Sequence, residues 1–227
     1  MNKALFIKTG LYTLIFFHSQ PHHSLYAANT ARYTKEQVAM ELHEMGIINT
    51  GNFTLKSGII SPLYIDLRIL ISRPSLMKKV ACLLSEKVNS IPHHFLCGIP
   101  YAALPITTAL SLLLNDPMLM VRKEGAKTYG TKQVVEGIYT SGDNVLVIED
   151  IITTGQSIQE TINKLTAEGL TITDIMVIVD RQQGGREKLT AMGYSVHSLF
   201  TLDELLTILY TAGKIDGSFY ENFKKIN

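Results

Sequence analysis

The stretch VLVIEDIITTGQS, Val145 to Ser157, constrains the chain more than any other. Its first five residues, VLVIE, are a mostly apolar run that reads as a buried parallel strand ending in charge, the kind found in sheets covered by helices. Two adjacent carboxylates, Glu149 and Asp150, mark the carboxyl end of that strand. Ile151 and Ile152 follow, and then a small, hydroxyl-rich turn, Thr153-Thr154-Gly155-Gln156-Ser157. Beyond it Ile158, Ile162 and Leu165 recur at the spacing of one helical face. A turn of this kind collects free backbone N–H groups at the positive end of a helix dipole, which favours a phosphate. The neighbouring carboxylates suit sugar hydroxyls or a magnesium ion. An ordinary strand-turn-helix with a solvated acidic pair shares the same local pattern, so context must separate the two.

A chain of 227 residues is long enough for one full domain with its own core. Hydrophobic residues at 46% and charged residues at 18% exclude a disordered chain. The net charge of +1 supplies no global field for nucleic acid or anionic lipid, so neither is expected as a partner. Cys82 and Cys97 lie in apolar settings without metal-ligand spacing and read as buried free thiols. Residues 1–31 differ from the rest. Early lysines, an apolar run from Leu11 to Phe17 and Tyr26-Ala27-Ala28 make a weak signal-peptide pattern, which Lys8 and Gly10 interrupt. The run is too short to span a bilayer. We read 1–31 as an N-terminal extension, disordered or produced by a start assigned too early, and 32–227 as the domain.

Thr34 and Gln37 form a capping-box pattern ahead of a helix that Gly46 stops, with Val38, Leu42 and Met45 on its apolar face. FTLK and LYIDL, around Ser57-Gly58 and Ser61-Pro62, read as two short strands forming a small hood over the sheet. Lys56 ends the first beside a glycine and can point into a pocket. Ser72 and Pro74 open a helix through Asn89, with Leu76, Val80, Leu83, Leu84 and Val88 on its buried stripe. FLCGI, MLMV and IMVIV read as further buried strands, YSVHSLF as a last one, and helices fill the intervals. His197 alternates with apolar residues in that last strand and reads as structural. After MLMV, Arg122, Lys123, Lys127 and Lys132 fall within eleven residues, with Gly125 and Gly130 among them, which suits a mobile cationic lid. Arg181 follows IMVIVD at a strand's carboxyl end, where open α/β sheets bind ligands, and its guanidinium can fork onto a carboxylate.

Several of these segments, in order, resemble the type I phosphoribosyltransferases, and among them the orotate phosphoribosyltransferases. Val145 to Ser157 is similar to that family's motif for phosphoribosyl pyrophosphate (PRPP): a strand, two acidic residues, two aliphatic ones, then Thr/Ser and Gly. FTLKSG followed by SP and an aromatic-containing strand resembles the family's N-terminal signature. RKE with a following lysine, aromatic and glycine resembles its catalytic loop, and GIPYAALP its pyrophosphate loop. The resemblance covers about residues 33–213. Three departures stand out. Ala102 replaces a lysine usual in bacterial short forms, so nearby residue types look more like the orotate domain of eukaryotic UMP synthases. The catalytic loop has one extra residue at Gly125 or Ala126. Thr128 stands where an acidic residue is common.

The resemblance implies an α/β fold with a central parallel sheet flanked by helices, a cytoplasmic homodimer with shared sites, and magnesium brought with the substrate, not held by a protein metal site. It implies the reaction of orotate with PRPP to give orotidine 5′-monophosphate and pyrophosphate. PRPP would meet Lys56, Tyr101, Ala102, Arg122, Lys123, Lys127, Tyr129, the Glu149-Asp150-Ile151-Ile152 run, and Thr153, Thr154, Gly155, Gln156 and Ser157. Orotate would meet Lys56, Tyr64, Ile65, Thr153 and Arg181. Arg122, Lys123, Lys127 and Asp150 would carry the catalysis. The rival readings are a phosphoribosyltransferase for another base, such as a purine, and a PRPP-sensing regulator on the same fold. FTLKSG and Arg181 argue against the first, near-zero charge and the cationic loop against the second.

Overall fold

The computed structural model describes residues 33–54, 60–123 and 133–226. The N-terminal extension, Lys56 and the segment holding Lys127, Tyr129 and Lys132 lie outside the described residues. In chain order the elements are α1 (Lys35–Glu44), β1 (Ile48–Thr54), β2 (Ile60–Ile65), a 3-10 helix (Leu67–Ser72), α2 (Pro74–Val88), β3 (Phe95–Gly98), α3 (Ala103–Leu114) and β4 (Met118–Val121). They continue with β5 (Val135–Glu136), β6 (Val145–Ile152), α4 (Gln156–Ala167), β7 (Asp174–Asp180), α5 (Gly185–Ala191), β8 (Ser195–Thr201), α6 (Leu202–Thr211) and α7 (Gly217–Ile226).

Six strands form one sheet in the order β5-β4-β3-β6-β7-β8, and every pairing is parallel except β4 with β5. The apolar runs are continuous because both faces are covered. Along β6, Leu146 and Ile148 join one core cluster while Val145 and Val147 join the other. Met176 and Ile178 of β7 alternate with Ile175 and Val177 in the same way. Val38, Leu84, Leu110 and Leu205, from α1, α2, α3 and α6, fill the first side. Ile158, Ile162, Leu165 and Leu189, from α4 and α5, fill the second. β1 and β2 form a separate antiparallel pair, and Ile48, Leu63 and Ile65 tie it to the first core.

Most expected elements are present, with local differences. The capping box at Thr34 and Gln37 is formed in full. Ser72 does not cap α2. It ends the 3-10 helix, Arg73 takes the N-cap place without a side-chain cap, and Pro74 opens the helix. β6 runs to Ile152, so the acidic pair lies within the strand, because β7 goes on pairing with it as far as Ile152–Asp180. The two-residue edge strand β5 gave no sequence signal of its own. Both cysteines are buried and free, and His197 binds the Asp174 carboxylate at 2.7 Å as a structural side chain.

Leu146 is 1% exposed in the central strand. Leu146→Ala should therefore cost about 2–5 kcal/mol in urea unfolding, the range for a large-to-small core change. Thr34→Ala should cost about 1 kcal/mol, the typical value for a lost helix cap.

Candidate active site

The chain leaves β3 toward β4 on one side and returns to β6 on the other, so the order reverses between β3 and β6. Ligands of open α/β sheets bind outside the carboxyl ends of strands at such a switch point. Four neighbouring carboxyl ends meet the expected residues there. β4 leads into Arg122 and Lys123, β3 into Tyr101 and Ala102, β6 into Thr153, and β7 into Arg181. The Ile99 N–H donates to Ile148 O at 2.9 Å and the Arg181 N–H to Ile152 O at 3.0 Å, which ties adjacent ends together.

A cavity of about 310 Å³ opens at the β6–α4 junction, lined by Ile151, Thr153, Thr154, Gly155, Gln156, Ser157 and Glu160. Gly155 caps α4 with φ +75°, a left-handed conformation that glycine adopts without strain. The N–H groups of Thr154, Gly155 and Gln156 donate to no backbone carbonyl among the described residues and remain available to an anion. The loop is braced from behind by Gly185, whose N–H donates to Thr153 O at 3.0 Å. A Cβ on Gly185 would lie 2.6 Å from Thr153 O and 3.0 Å from Gly155 N, so only glycine permits this approach.

Glu149 and Asp150 differ in environment. Glu149 is 4% exposed, and its carboxyl accepts from the Asp150 N–H at 3.0 Å and from Ser157 Oγ at 2.8 Å. Burial, and then the adjacent Asp150 carboxyl, push Glu149 up to about 9 from its ordinary 4.5. Glu149 thus anchors the strand to the first turn of α4, while Asp150 is half-buried and more accessible. Ile151 lines the cavity, but Ile152 is 1% exposed, so only its main chain can serve a ligand.

The cationic side is also partly engaged. Arg122 pairs with Glu136 on the edge strand β5, and its Nε is buried without a partner among the described residues. Lys123 Nζ stands 5.1 Å from the centroid of the Tyr101 ring, a cation–π contact. Lys164 of α4 donates to Arg122 O at 2.9 Å and to Lys123 O at 3.0 Å. Arg181 also has a buried Nε without a partner, and burial pulls its pKa below the ordinary arginine value. Its neighbour Asp180 is instead bound by Arg186, at 2.5 Å, and Arg186 Nη2 reaches Ser198 Oγ at 2.8 Å. That network fixes the β7 end and leaves Arg181 without a side-chain partner among the described residues.

On the β1–β2 pair, Tyr64 is half-buried against Phe53, ring centroids 5.6 Å apart, and Arg68 Nη2 donates to its hydroxyl at 3.1 Å. Ile65 points the other way into the core, 7% exposed, so its side chain does not join Tyr64. Gly185, Glu136, Lys164 and Arg186 belong to the site's framework and were not singled out from sequence. Only the Gly184-Gly185 doublet carried a visible signal. Among the described residues no group of three or more His, Cys, Asp or Glu side chains can hold a metal ion. No helix among them is long and apolar enough to cross a membrane.

Residues 69–197 match the phosphoribosyl transferase domain family. With the anion loop at the switch point, this establishes that the chain belongs to the phosphoribosyltransferases. Its relatives narrow the branch to the orotate phosphoribosyltransferases. It is 42% identical to orotate phosphoribosyltransferase of Caenorhabditis elegans over 77% of each chain. It is 45% identical to uridine 5′-monophosphate synthase of Bos taurus, over 81% of this chain and 38% of that longer protein. Among solved structures it is similar to Leishmania donovani UMP synthase, with TM-score 0.77 and 34% identity, over 86% of this chain and 42% of that one.

Two outcomes follow from this geometry. Gly185→Ala should destabilise the fold by about 1–3 kcal/mol, as overpacking does, and should also weaken ribose 5-phosphate binding in calorimetry. Glu149 binds a proton more tightly folded than unfolded, so its contribution is full below about pH 4.5 and is lost as pH rises toward about 9. Glu149→Gln removes this dependence, so the melting temperature of the variant relative to wild type should rise steadily between pH 6 and pH 9.

Proposed function

We propose that the chain transfers the phosphoribosyl group of PRPP to orotate, forming orotidine 5′-monophosphate and releasing pyrophosphate. One juxtaposition supports this reading above all: a loop of free N–H groups at Thr153–Ser157 and, on the next strand end with its N–H on Ile152 O, Arg181, whose buried guanidinium Nε has no partner among the described residues. The loop suits the donor's 5′-phosphate, and Arg181 suits the carboxylate that distinguishes orotate from a purine.

In the reaction an orotate ring nitrogen bonds to ribose C1 as the bond from C1 to the pyrophosphate oxygen breaks, and the proton of that ring nitrogen leaves to the departing pyrophosphate or to water. Orotate is already an anion, so no serine or cysteine nucleophile is needed. Positive charge grows on the ribose and negative charge on the leaving group, and fixed charges aimed at this separation are the main catalytic device. Asp150 faces the ribose, and Glu149 holds the strand against α4 so that Asp150 and the phosphate loop keep their spacing. Arg122 and Lys123 stand at the β4 end to receive the departing pyrophosphate, and Lys56 and Lys127 are proposed to join them. Lys123 already lies against Tyr101, which gives it a defined resting place on the pyrophosphate-loop side. Tyr64 and Arg181 would set the orientation of orotate.

Magnesium belongs to the proposal as an ion carried by the pyrophosphate group, with Asp150 the carboxylate best placed to face it. Bound there it supplies positive charge to the leaving group. A cytoplasmic homodimer completes the proposal.

The test is a base comparison. With PRPP and magnesium, the protein should consume orotate and leave adenine and hypoxanthine untouched. Lys123→Ala and Asp150→Asn should each lower kcat by about 10²-fold or more, the scale for losing a charge that acts on the transition state. Arg181→Ala should raise KM for orotate far more than KM for PRPP. Consumption of a purine base, or unchanged rates in both Lys123→Ala and Asp150→Asn, would contradict the proposal.

A further inference from the structure

Lys164 has no place in the reaction as described so far. It lies in the third turn of α4, eight residues beyond Gln156, or about 12 Å along the helix axis. Its side chain is half-buried and forms no ion pair among the described residues. The ammonium is committed instead to two consecutive main-chain carbonyls, Arg122 O at 2.9 Å and Lys123 O at 3.0 Å. A lysine on a helix surface normally keeps its charge in water and gains little from any partner. Here it crosses to the end of another strand and gathers the carbonyls at the point where β4 stops.

Holding two successive carbonyls fixes the peptide orientation on each side of Lys123. This sets the direction in which the Lys123 side chain leaves the backbone, toward the Tyr101 ring at 5.1 Å. The opposite end of the same α4 carries Gly155, Gln156 and Ser157 of the anion loop. One rigid helix therefore joins the phosphate cradle to the backbone of the leaving-group lysine. A ligand seated in the cradle and the lysine that meets its far end are referenced to a common element. Arg122 is fixed separately, by its N–H donating to Val134 O at 2.9 Å and by its pairing with Glu136. Lys123 has no comparable backbone brace among the described residues other than Lys164.

We infer that Lys164 is a positioning residue for the transfer reaction: it acts through Lys123, by clamping the Arg122 and Lys123 carbonyls to the helix that holds the donor's phosphate. The inference rests on the leaving-group role proposed for Lys123. It predicts that loss of the clamp impairs the chemical step and spares the binding of orotate. A misplacement of a catalytic group by about 1 Å can cost up to about 10²-fold in rate, so a partial loss of aim should cost about tenfold.

The experiment is a double-mutant cycle on the full chain. It uses wild type, Lys164→Met, Lys164→Arg, Lys123→Ala and the Lys164→Met/Lys123→Ala double variant, each assayed for orotate consumption with PRPP and magnesium. Lys164→Met keeps the aliphatic stem and removes the donors. It should lower kcat about tenfold with KM for orotate unchanged, and Lys164→Arg should recover most of the loss. In the Lys123→Ala background, Lys164→Met should cost nothing further, because the residue it aims is gone. If Lys164→Met retains full kcat, or lowers it by the same factor in both backgrounds, the inference fails while the leaving-group role of Lys123 stands. If Lys123→Ala is itself fully active, that role and the inference fall together. A loss in Lys164→Met that tracks its melting temperature and is not recovered by Lys164→Arg would make the residue merely structural and overturn the inference.

Discussion

The contact of Gly185 with Thr153 is the constraint on which the rest of the site depends. Its N–H donates to the Thr153 carbonyl, and no side chain fits between the start of α5 and the loop after β6. The loop is therefore clamped at its back, by α5, and at its front, by the Ser157 hydroxyl on Glu149. With both sides held, the N–H groups at the start of α4 face outward without backbone partners. An anion site made this way is preorganised: its donors are already oriented when a ligand arrives, and little reorganisation remains to oppose binding or catalysis.

The sheet order distributes charge around that fixed point. Strands β4, β3, β6 and β7 bring to one edge a cationic end, an aromatic loop, an acidic pair with a loop of free N–H groups, and an arginine whose Nε has no partner among the described residues. The cationic end of β4 and the acidic pair of β6 are separated by β3, which suits a reaction that separates a cationic sugar from an anionic leaving group. Arg122 is neutralised by Glu136 at rest, and the other close pairings fall on groups the chemistry does not use. Asp180 is bound by Arg186, and among the described residues its neighbour Arg181 has no side-chain partner. Glu149 is buried and held near neutrality by its surroundings, so Asp150 is the accessible member of the pair.

The parts legible in the sequence were those governed by local rules. Val145–Ile148, Ile175–Val179 and the stripe from Leu76 to Val88 are strongly patterned, and each became the element its period implied. The Thr34 cap was readable because its partner is only three residues away. The acidic pair, the Thr/Ser-rich turn and Arg181 were readable as chemistry because each lies at the end of a recognisable strand. What escaped was set by distance along the chain. Lys164 meets the Arg122 carbonyl from 42 positions away, and Arg186 meets Ser198 from 12. Glu136 becomes meaningful only once β5 pairs with β4. Ile65 was assigned to the site with Tyr64, yet adjacent strand residues face opposite ways, and burial places Ile65 in the core. The end of β6 was placed short because the strand is lengthened by its partner β7, which no local pattern shows.

The β6–α4 loop as the proposed seat of the donor's phosphate can be examined residue by residue in amide nitrogen–proton NMR of the full chain titrated with ribose 5-phosphate. The resonances of Thr154, Gly155, Gln156 and Ser157 should move together and saturate at one ligand per chain, with α7 unaffected. Saturating binding that leaves those four amides unmoved and shifts resonances elsewhere would contradict that placement.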